Sequence, residues 1–169
     1  MFIGHFGVGF GAKRAAPQLS LGLLFVAAQF LDLLWPTLLL LGVERARITP
    51  GDTVVTPLAF EHYPISHSLL AAAAWAGLVG LLYLWLRRER RGAVLLALLV
   101  LSHWLLDAIV HRPDLPLYPN SATVVGLGLW NSMAATVAAE LSVFALGVWL
   151  YVRATQPIDA TSRWGRWGL

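Results

Sequence analysis

Apolar residues dominate four long stretches of the chain, and each is long enough to form a helix that crosses a membrane. These stretches are Leu19–Gly42, Ile65–Leu86, Gly92–Val110 and Leu129–Val152. About 20 mainly apolar residues cross the hydrocarbon core of a bilayer. A shorter, glycine-rich apolar segment, Phe2–Ala12, precedes them. The pattern predicts an all-α integral membrane protein with four transmembrane helices and a short N-terminal membrane-embedded helix.

The polar segments predict a simple domain organisation. We expect residues 1–153 to form a single transmembrane helical domain and residues 154–169 to form a polar cytoplasmic tail. Two longer loops, Val43–Tyr63 and His111–Gly128, contain five of the prolines and separate the apolar stretches. The remaining connections are short turns.

The composition of the chain agrees with a membrane protein and excludes two other classes. Of the 169 residues, 58% are apolar and 12% are charged, whereas about 25% of residues are charged in an ordinary soluble domain. A chain this short cannot bury so much apolar surface in a soluble core, and a disordered chain needs the opposite balance. Cysteine is absent, so a bound metal would need His, Asp or Glu ligands.

The basic residues predict the orientation of the helices. Nine of the twelve fall on one side of a four-span arrangement and three on the other: Lys13, Arg14, Arg87, Arg88, Arg90, Arg91, Arg153, Arg163 and Arg166 against Arg45, Arg47 and Arg112. Because Lys and Arg are enriched in cytoplasmic loops, both termini are expected in the cytoplasm. The basic residues lie in turns rather than along one face with interleaved aromatic residues, which argues against a nucleic-acid partner.

Buried polar residues are the main indication of function. The apolar stretches contain Asp32, His67, His103, Asp107 and Glu140, but no Lys or Arg. A charged side chain at bilayer depth costs at least about 2.5–3.5 kcal/mol. These carboxylates are therefore expected to be protonated or to surround a bound cation. A divalent metal ion with imidazole ligands satisfies this requirement with residues already present.

Spacing along the chain indicates which residues share a site. His103 and Asp107 are four residues apart and lie on one helix face. Pro64 suits the first turn of a helix, which places His67 in that turn and His62 in the loop before it. Pro36 predicts a bend in the helix that contains Asp32. The predicted metal ligands are His5, Asp32, His62, His67, His103 and Asp107.

Four short motifs resemble those of the bacterial inner-membrane metal-dependent hydrolase family, the YdjM-like proteins. In chain order they are Gly4-His5, the segment Gln29–Asp32, the segment His62–Ser68 and the segment Ser102–Asp107. The resemblance covers residues 4–107. It implies a metal-dependent hydrolase in the bacterial inner membrane, distantly similar to zinc-dependent phospholipases C.

Together, the residues and the resemblance predict one or two divalent ions, with zinc expected, and metal-assisted hydrolysis. Glu140 is the candidate general base, and Arg112 is expected to contact an anionic group of the substrate. A site that opens among apolar helices favours a lipid or lipid-linked ester as substrate. His111 and Asp114 lie in a loop, and the sequence assigns them no role. Two alternatives stay open: a transporter for protons or metal ions, favoured as a homo-oligomer, and a non-catalytic subunit of a membrane complex.

Overall fold

A computed structural model describes residues 1–155 of the chain. Helices make up most of the structure, which confirms the predicted class. In chain order the elements are α1 (Ile3–Ala12), α2 (Leu21–Ala28), α3 (Phe30–Leu40), β1 (Arg45–Ile48), β2 (Leu58–His62), α4 (Pro64–His67), α5 (Leu69–Arg87), α6 (Arg90–Val110), β3 (Leu115–Pro116), β4 (Val124–Val125), a 3-10 turn (Leu129–Asn131) and α7 (Met133–Ala154). The predicted tail, 154–169, lies outside the described residues after its first two positions.

Within the described residues, α5, α6 and α7 are long and apolar enough to cross a membrane. In the most apolar 18-residue segments of α5 and α7, only 17% and 11% is buried inside the protein, respectively. Most of their apolar side chains therefore face outward, as expected for helices surrounded by lipid. Helix α1 has 10 residues, half the length of a span, in agreement with the predicted short N-terminal helix.

The first long apolar stretch differs from the prediction of one continuous helix. It consists of α2 and α3, which together are apolar enough for one span but are bent by 56° across Gln29. Pro36, where the sequence predicts a bend, lies inside α3, and the 56° bend is a separate feature that the sequence did not predict. The bend instead falls three residues before Asp32, at the end of α2.

Each long helix begins at a side chain that accepts hydrogen bonds from the backbone. Ser68, Glu89 and Ser132 cap α5, α6 and α7, and Ser20 caps α2. Such caps satisfy amide groups that have no partner within the helix. The caps fix where each helix starts, and thereby the height of the polar residues along it.

The two proline-containing loops carry short strands, a feature that the all-α prediction did not include. Strands β1 and β2 pair antiparallel, with Ile48 opposite Leu58, and β3 pairs antiparallel with β4. The backbone amides of Val54 and Val55 donate hydrogen bonds to the carbonyl of Trp130. The two loops therefore form one structured cap at the same end of the helices.

Helix α1 is held against α7 by close backbone contact. A Cβ atom at Gly147 would overlap the carbonyl oxygen of Gly7, and a Cβ at Gly7 would lie 2.7 Å from the Cα of Phe144. Glycine at these two positions lets the helices approach closely, as small residues do in membrane helix pairs. This contact places His5 of α1 inside the bundle.

Candidate metal centre

Four helices bring five of the six predicted metal ligands together. His5 comes from α1, Asp32 from α3, His67 from α4, and His103 and Asp107 from α6. Their donor atoms form two overlapping triads, His5–His103–Asp107 and Asp32–His67–His103, with all donors of a triad within 4.8 Å of one another. Asp32 is partly accessible, with 36% of its side chain exposed. The other four residues are buried, so the cluster has one accessible side.

The distances between imidazole and carboxylate atoms fit ligands of one small cation. Nε2 of His103 lies 3.2 Å from Oδ2 of Asp107 and 3.5 Å from Oδ1 of Asp32. Nε2 of His67 lies 3.6 Å from Oδ1 of Asp32 and 3.7 Å from Oδ2 of Asp107. Tetrahedral zinc with bonds of about 2.0–2.2 Å separates neighbouring ligand atoms by about 3.3–3.6 Å.

The tautomer of His103 leaves a lone pair directed at the cluster. Its Nδ1–H donates to the carbonyl oxygen of Ala28, 2.8 Å away, because a carbonyl can only accept. Ala28 ends α2, where helix carbonyls lack partners within the helix. Nε2 must then be the unprotonated nitrogen when the ring is neutral. It is buried, and the atom next to it, Oδ2 of Asp107 at 3.2 Å, belongs to a carboxylate that can only accept, so among the described residues the lone pair of a neutral ring receives no hydrogen bond.

His67 is oriented by a second chain of hydrogen bonds. Its Nδ1 lies 2.7 Å from Oγ of Ser66, which in turn lies 2.6 Å from Oε2 of Glu44. The Ser66 hydroxyl donates to the carboxylate, so it accepts from Nδ1–H of His67. The other Glu44 oxygen accepts from the amides of Ile65 and Ser66, and Trp104 donates to the carbonyl of His67. Metal-binding histidines are oriented in this way by outer hydrogen bonds.

Glu44 and Ser66 are site residues that the sequence analysis missed. Glu44 is 2% exposed although it follows an apolar stretch in a loop. Its neighbours along the chain give no sign of burial. Ser66 precedes His67 directly, but a serine next to a histidine is too common to mark a site. Their role depends on the way the loop folds back over α4.

Asp107 has a basic partner that the sequence analysis did not foresee. The α-ammonium group of Met1 donates a hydrogen bond to Oδ1 of Asp107, so the expectation of carboxylates without a basic neighbour is wrong here. Nε2 of His5 lies 3.2 Å from the same oxygen, and the rings of His5 and His103 stack at 3.7 Å. Nδ1 of His5 is buried without a hydrogen-bond partner in the described part of the chain.

His62 is the one predicted ligand that the structure leaves outside the cluster. It ends β2 opposite Arg45, and its side chain is exposed. The next residue, Tyr63, is 3% exposed and takes the inward position at the start of α4. His62 is therefore separated from His67 by the first turn of α4.

Arg112 contacts two carboxylates of the loops rather than the cluster. Its guanidinium donates to Asp52 and, over 3.1 Å, to Asp114. Burial alone would lower the pKa of Arg112, but the hydrogen bonds and charges of these two carboxylates raise it. Asp114 also lies 3.0 Å from Nδ1 of His111 and accepts from the hydroxyl of Tyr63. Burial and this carboxylate raise the pKa of Tyr63, so the phenol stays protonated.

Glu140 binds the start of α1. Its two oxygens accept hydrogen bonds of 2.7 Å from the amides of Phe2 and Gly4. A carboxylate at a helix N-terminus is favoured by the helix dipole. Glu140 thus helps to position α1, which carries His5.

A pocket of about 320 Å³ opens onto the cluster from the side of the structured loops. Its polar lining is His67, Asp32, Asp107, His111 and Glu140 together with Met1, and its apolar lining includes Trp35, Val55, Leu58, Phe60 and Trp130. On the opposite side of the cluster, Leu24, Leu96, Leu99 and Val100 are buried. The pocket therefore ends at the cluster.

Comparisons with protein-family models, curated proteins and solved structures find no match to this chain. The resemblance to the YdjM-like family stays a prediction that rests on the four motifs. The function is therefore argued from the site.

Proposed function

We propose that this protein is an integral membrane hydrolase that uses a zinc ion to cleave an ester or phosphoester of a membrane lipid. Asp32, His67, His103 and Asp107 would hold the ion. The observation that carries the proposal is the pair of oriented histidines: both donate their Nδ1–H away from the cluster and direct Nε2 into it. With a neutral ring and no cation, Nε2 of His103 would be a buried acceptor without a donor.

The donor set supports zinc among the divalent metals. Two imidazoles and two carboxylates match its preference for nitrogen and oxygen ligands at tetrahedral spacing. His5 donates to the outer oxygen of Asp107 in the single-ion arrangement; a second ion would instead take His5 as a ligand. We assign one ion, because Nε2 of His5 already donates to that oxygen, 3.2 Å away.

The chemistry requires a water molecule and a proton acceptor in the pocket. Bound zinc would supply a water whose pKa is lowered to about 7 and would polarise a carbonyl or phosphoryl oxygen. Because four side chains already hold the ion, that water would enter as a fifth ligand. Glu140 lines the pocket, and each oxygen keeps a lone pair beyond its bond to α1. Glu140 would accept the proton of water and pass it to the leaving oxygen. The water oxygen bonds to phosphorus or to the acyl carbon, and the bond from that atom to the leaving oxygen breaks.

The membrane arrangement that we propose has four crossings, with the bent pair α2–α3 counted as one. The basic turn between α5 and α6 and Arg153 at the end of α7 then lie in the cytoplasm. Met1 is instead buried beside Asp107 at the cluster, so the expectation that the N-terminal residue lies in the cytoplasm is wrong. The structured loops face outward, so the pocket opens toward the outer leaflet. We propose the bacterial inner membrane as its location, in line with the resemblance of the four motifs.

A pocket that ends at the cluster favours hydrolysis over transport. The buried leucines and Val100 close the cytoplasmic side, whereas a transport path must continue across the membrane. A non-catalytic role in a membrane complex would not require the two histidines to be held in metal-binding tautomers.

The proposal is tested by zinc-dependent lipid cleavage. Purified protein is incubated with vesicles of bacterial phospholipids, and the lipids are analysed by mass spectrometry. We expect hydrolysis products that vanish after removal of metal with a chelator and return on addition of zinc. The variant His103→Ala should be inactive at every zinc concentration, and His62→Ala should retain activity. Zinc-loaded protein that leaves all lipid classes intact would contradict the proposal.

A further inference from the structure

Three polar side chains lie on one face at the start of α3. Gln29, Asp32 and Trp35 follow each other at intervals of three residues, so each is displaced by about 4.5 Å along the helix axis. Asp32 is the metal ligand in the middle. Gln29 is 6% exposed and its Oε1 atom has no hydrogen-bond partner among residues 1–155. Nε1 of Trp35, a buried indole N–H, also has no hydrogen-bond partner in this part of the chain.

Unpartnered polar atoms on both sides of Asp32 indicate a missing ligand. A buried amide oxygen needs a donor and a buried indole N–H needs an acceptor. Trp35 lines the metal pocket and Gln29 lines a second cavity. A ligand that satisfies both must present a donor to Gln29 and an acceptor to Trp35, with its centre at Asp32.

The second cavity is an apolar groove of about 330 Å³, which we name the acyl groove. Its apolar walls are Phe6, Phe25, Val26 and Leu33, and it shares Phe2 and Asp32 with the metal pocket. Val26 and Leu33 are 50% and 56% exposed on helices of the bent pair. In a membrane such exposed apolar side chains border lipid, so the groove is open to the acyl region of the bilayer.

We propose that the acyl groove binds the acyl chain of a lipid that carries a hydroxyl or amide N–H next to its phosphoester. The chain lies against Phe6 and Phe25, and the hydroxyl or amide donates to Oε1 of Gln29. A phosphoryl oxygen accepts from Nε1 of Trp35. The rise from Gln29 to Trp35 is about 9 Å, which suits the polar part of a glycerol phosphoester. This assignment rests on the proposed function, since it gives the substrate class of the same site.

The test measures lipid binding and zinc content together by native mass spectrometry of the detergent-solubilised protein. The probes are palmitoyl lysophosphatidylcholine, which has a free hydroxyl, and its 2-O-methyl ether, which lacks that donor. We expect the ether to bind about three- to tenfold more weakly, the effect of one neutral hydrogen bond. Gln29→Leu should weaken binding of the parent lipid by the same factor and abolish the difference between the two probes.

A second pair of variants tests the groove itself. Leu33→Trp places a large side chain at the groove and should reduce binding of both probes at least tenfold. The matched control, Leu82→Trp, changes a leucine of α5 that is 51% exposed and should leave binding unchanged. Zinc in the measured mass shows that each variant keeps the site folded.

The outcomes separate the two proposals. Unchanged preference for the free hydroxyl in Gln29→Leu, equal effects of Leu33→Trp and Leu82→Trp, or no binding of either probe would overturn the acyl groove while zinc-dependent hydrolysis stands. Wild-type protein that retains no zinc would instead contradict the proposed function.

Discussion

At the scale of single residues, the orientation of two imidazole rings determines what the cluster can bind. His103 is fixed by a backbone carbonyl and His67 by the Ser66–Glu44 pair. Neither ring can rotate by 180° without breaking a buried hydrogen bond. In the neutral rings, the two unprotonated nitrogens therefore face the cluster before any ion binds, which reduces the entropic cost of binding an ion.

The variant Ser66→Ala tests this orientation. It removes the acceptor of His67 Nδ1–H and leaves the ring free to turn, so the affinity for zinc should fall by about 10–100-fold. The affinity is measured by competition with a chelator of known strength. Ser102→Ala is the matched control, because the Ser102 hydroxyl donates to the carbonyl of Leu99, away from the cluster. Equal affinity of Ser66→Ala and the wild type would show that the hydrogen bond has no such role.

Five of the six residues that the sequence predicts as ligands lie together in the structure, and they could be predicted because their chemistry is unusual in its setting. An aspartate or histidine in an apolar stretch is expensive, and the spacing of His103 and Asp107 is readable from helix geometry. The partners that orient the rings could not be predicted. Ala28 offers only a backbone carbonyl, and Glu44 reaches Ser66 across 22 residues of the chain.

At the scale of helices, the bend between α2 and α3 supplies features that a straight helix would lack. It puts the end of α2 next to His103 and gives the Gln29–Asp32–Trp35 face to the pocket and the acyl groove. Apolar composition predicted that this stretch enters the membrane. The bend follows Ala28, whose carbonyl accepts from His103 of α6, a contact between distant residues that no local pattern predicts.

The contact between α1 and α7 gives a second prediction. Gly147→Ala places a methyl group against the carbonyl of Gly7, and overpacking of this kind costs about 1–3 kcal/mol. We expect a lower midpoint of thermal unfolding in detergent, together with weaker zinc retention because α1 carries His5. Gly77→Ala in α5 has no atom within 4 Å of the added Cβ and should be neutral or slightly stabilising. Similar midpoints for both variants would rule out the close contact.

At the scale of the whole molecule, hydrophobicity predicted the helical class and a short helix at the start of the chain. It also predicted that two long loops connect the apolar stretches. The strands in the loops were not predicted, since each is short and their pairing joins distant residues such as Leu115 and Val125. The pocket likewise forms between elements, so no local pattern reports its shape.

The orientation in the membrane is tested by cysteine labelling, for which a chain without cysteine is well suited. Val54→Cys lies in the first structured loop and should react with a membrane-impermeant maleimide in intact spheroplasts. Arg87→Cys lies at the basic turn and should react only after lysis. Both positions are exposed, so access is limited by the membrane alone. The reverse labelling pattern would invert the orientation that we propose.

The central claim, that the buried histidines and aspartates bind a metal ion, is tested most directly by elemental analysis of purified protein. We expect one zinc ion per chain in the wild type and in His62→Ala, and none in His103→Ala or Asp107→Ala. A folded wild-type protein that contains no divalent metal, or a His103→Ala variant that keeps a full zinc ion, would contradict the account.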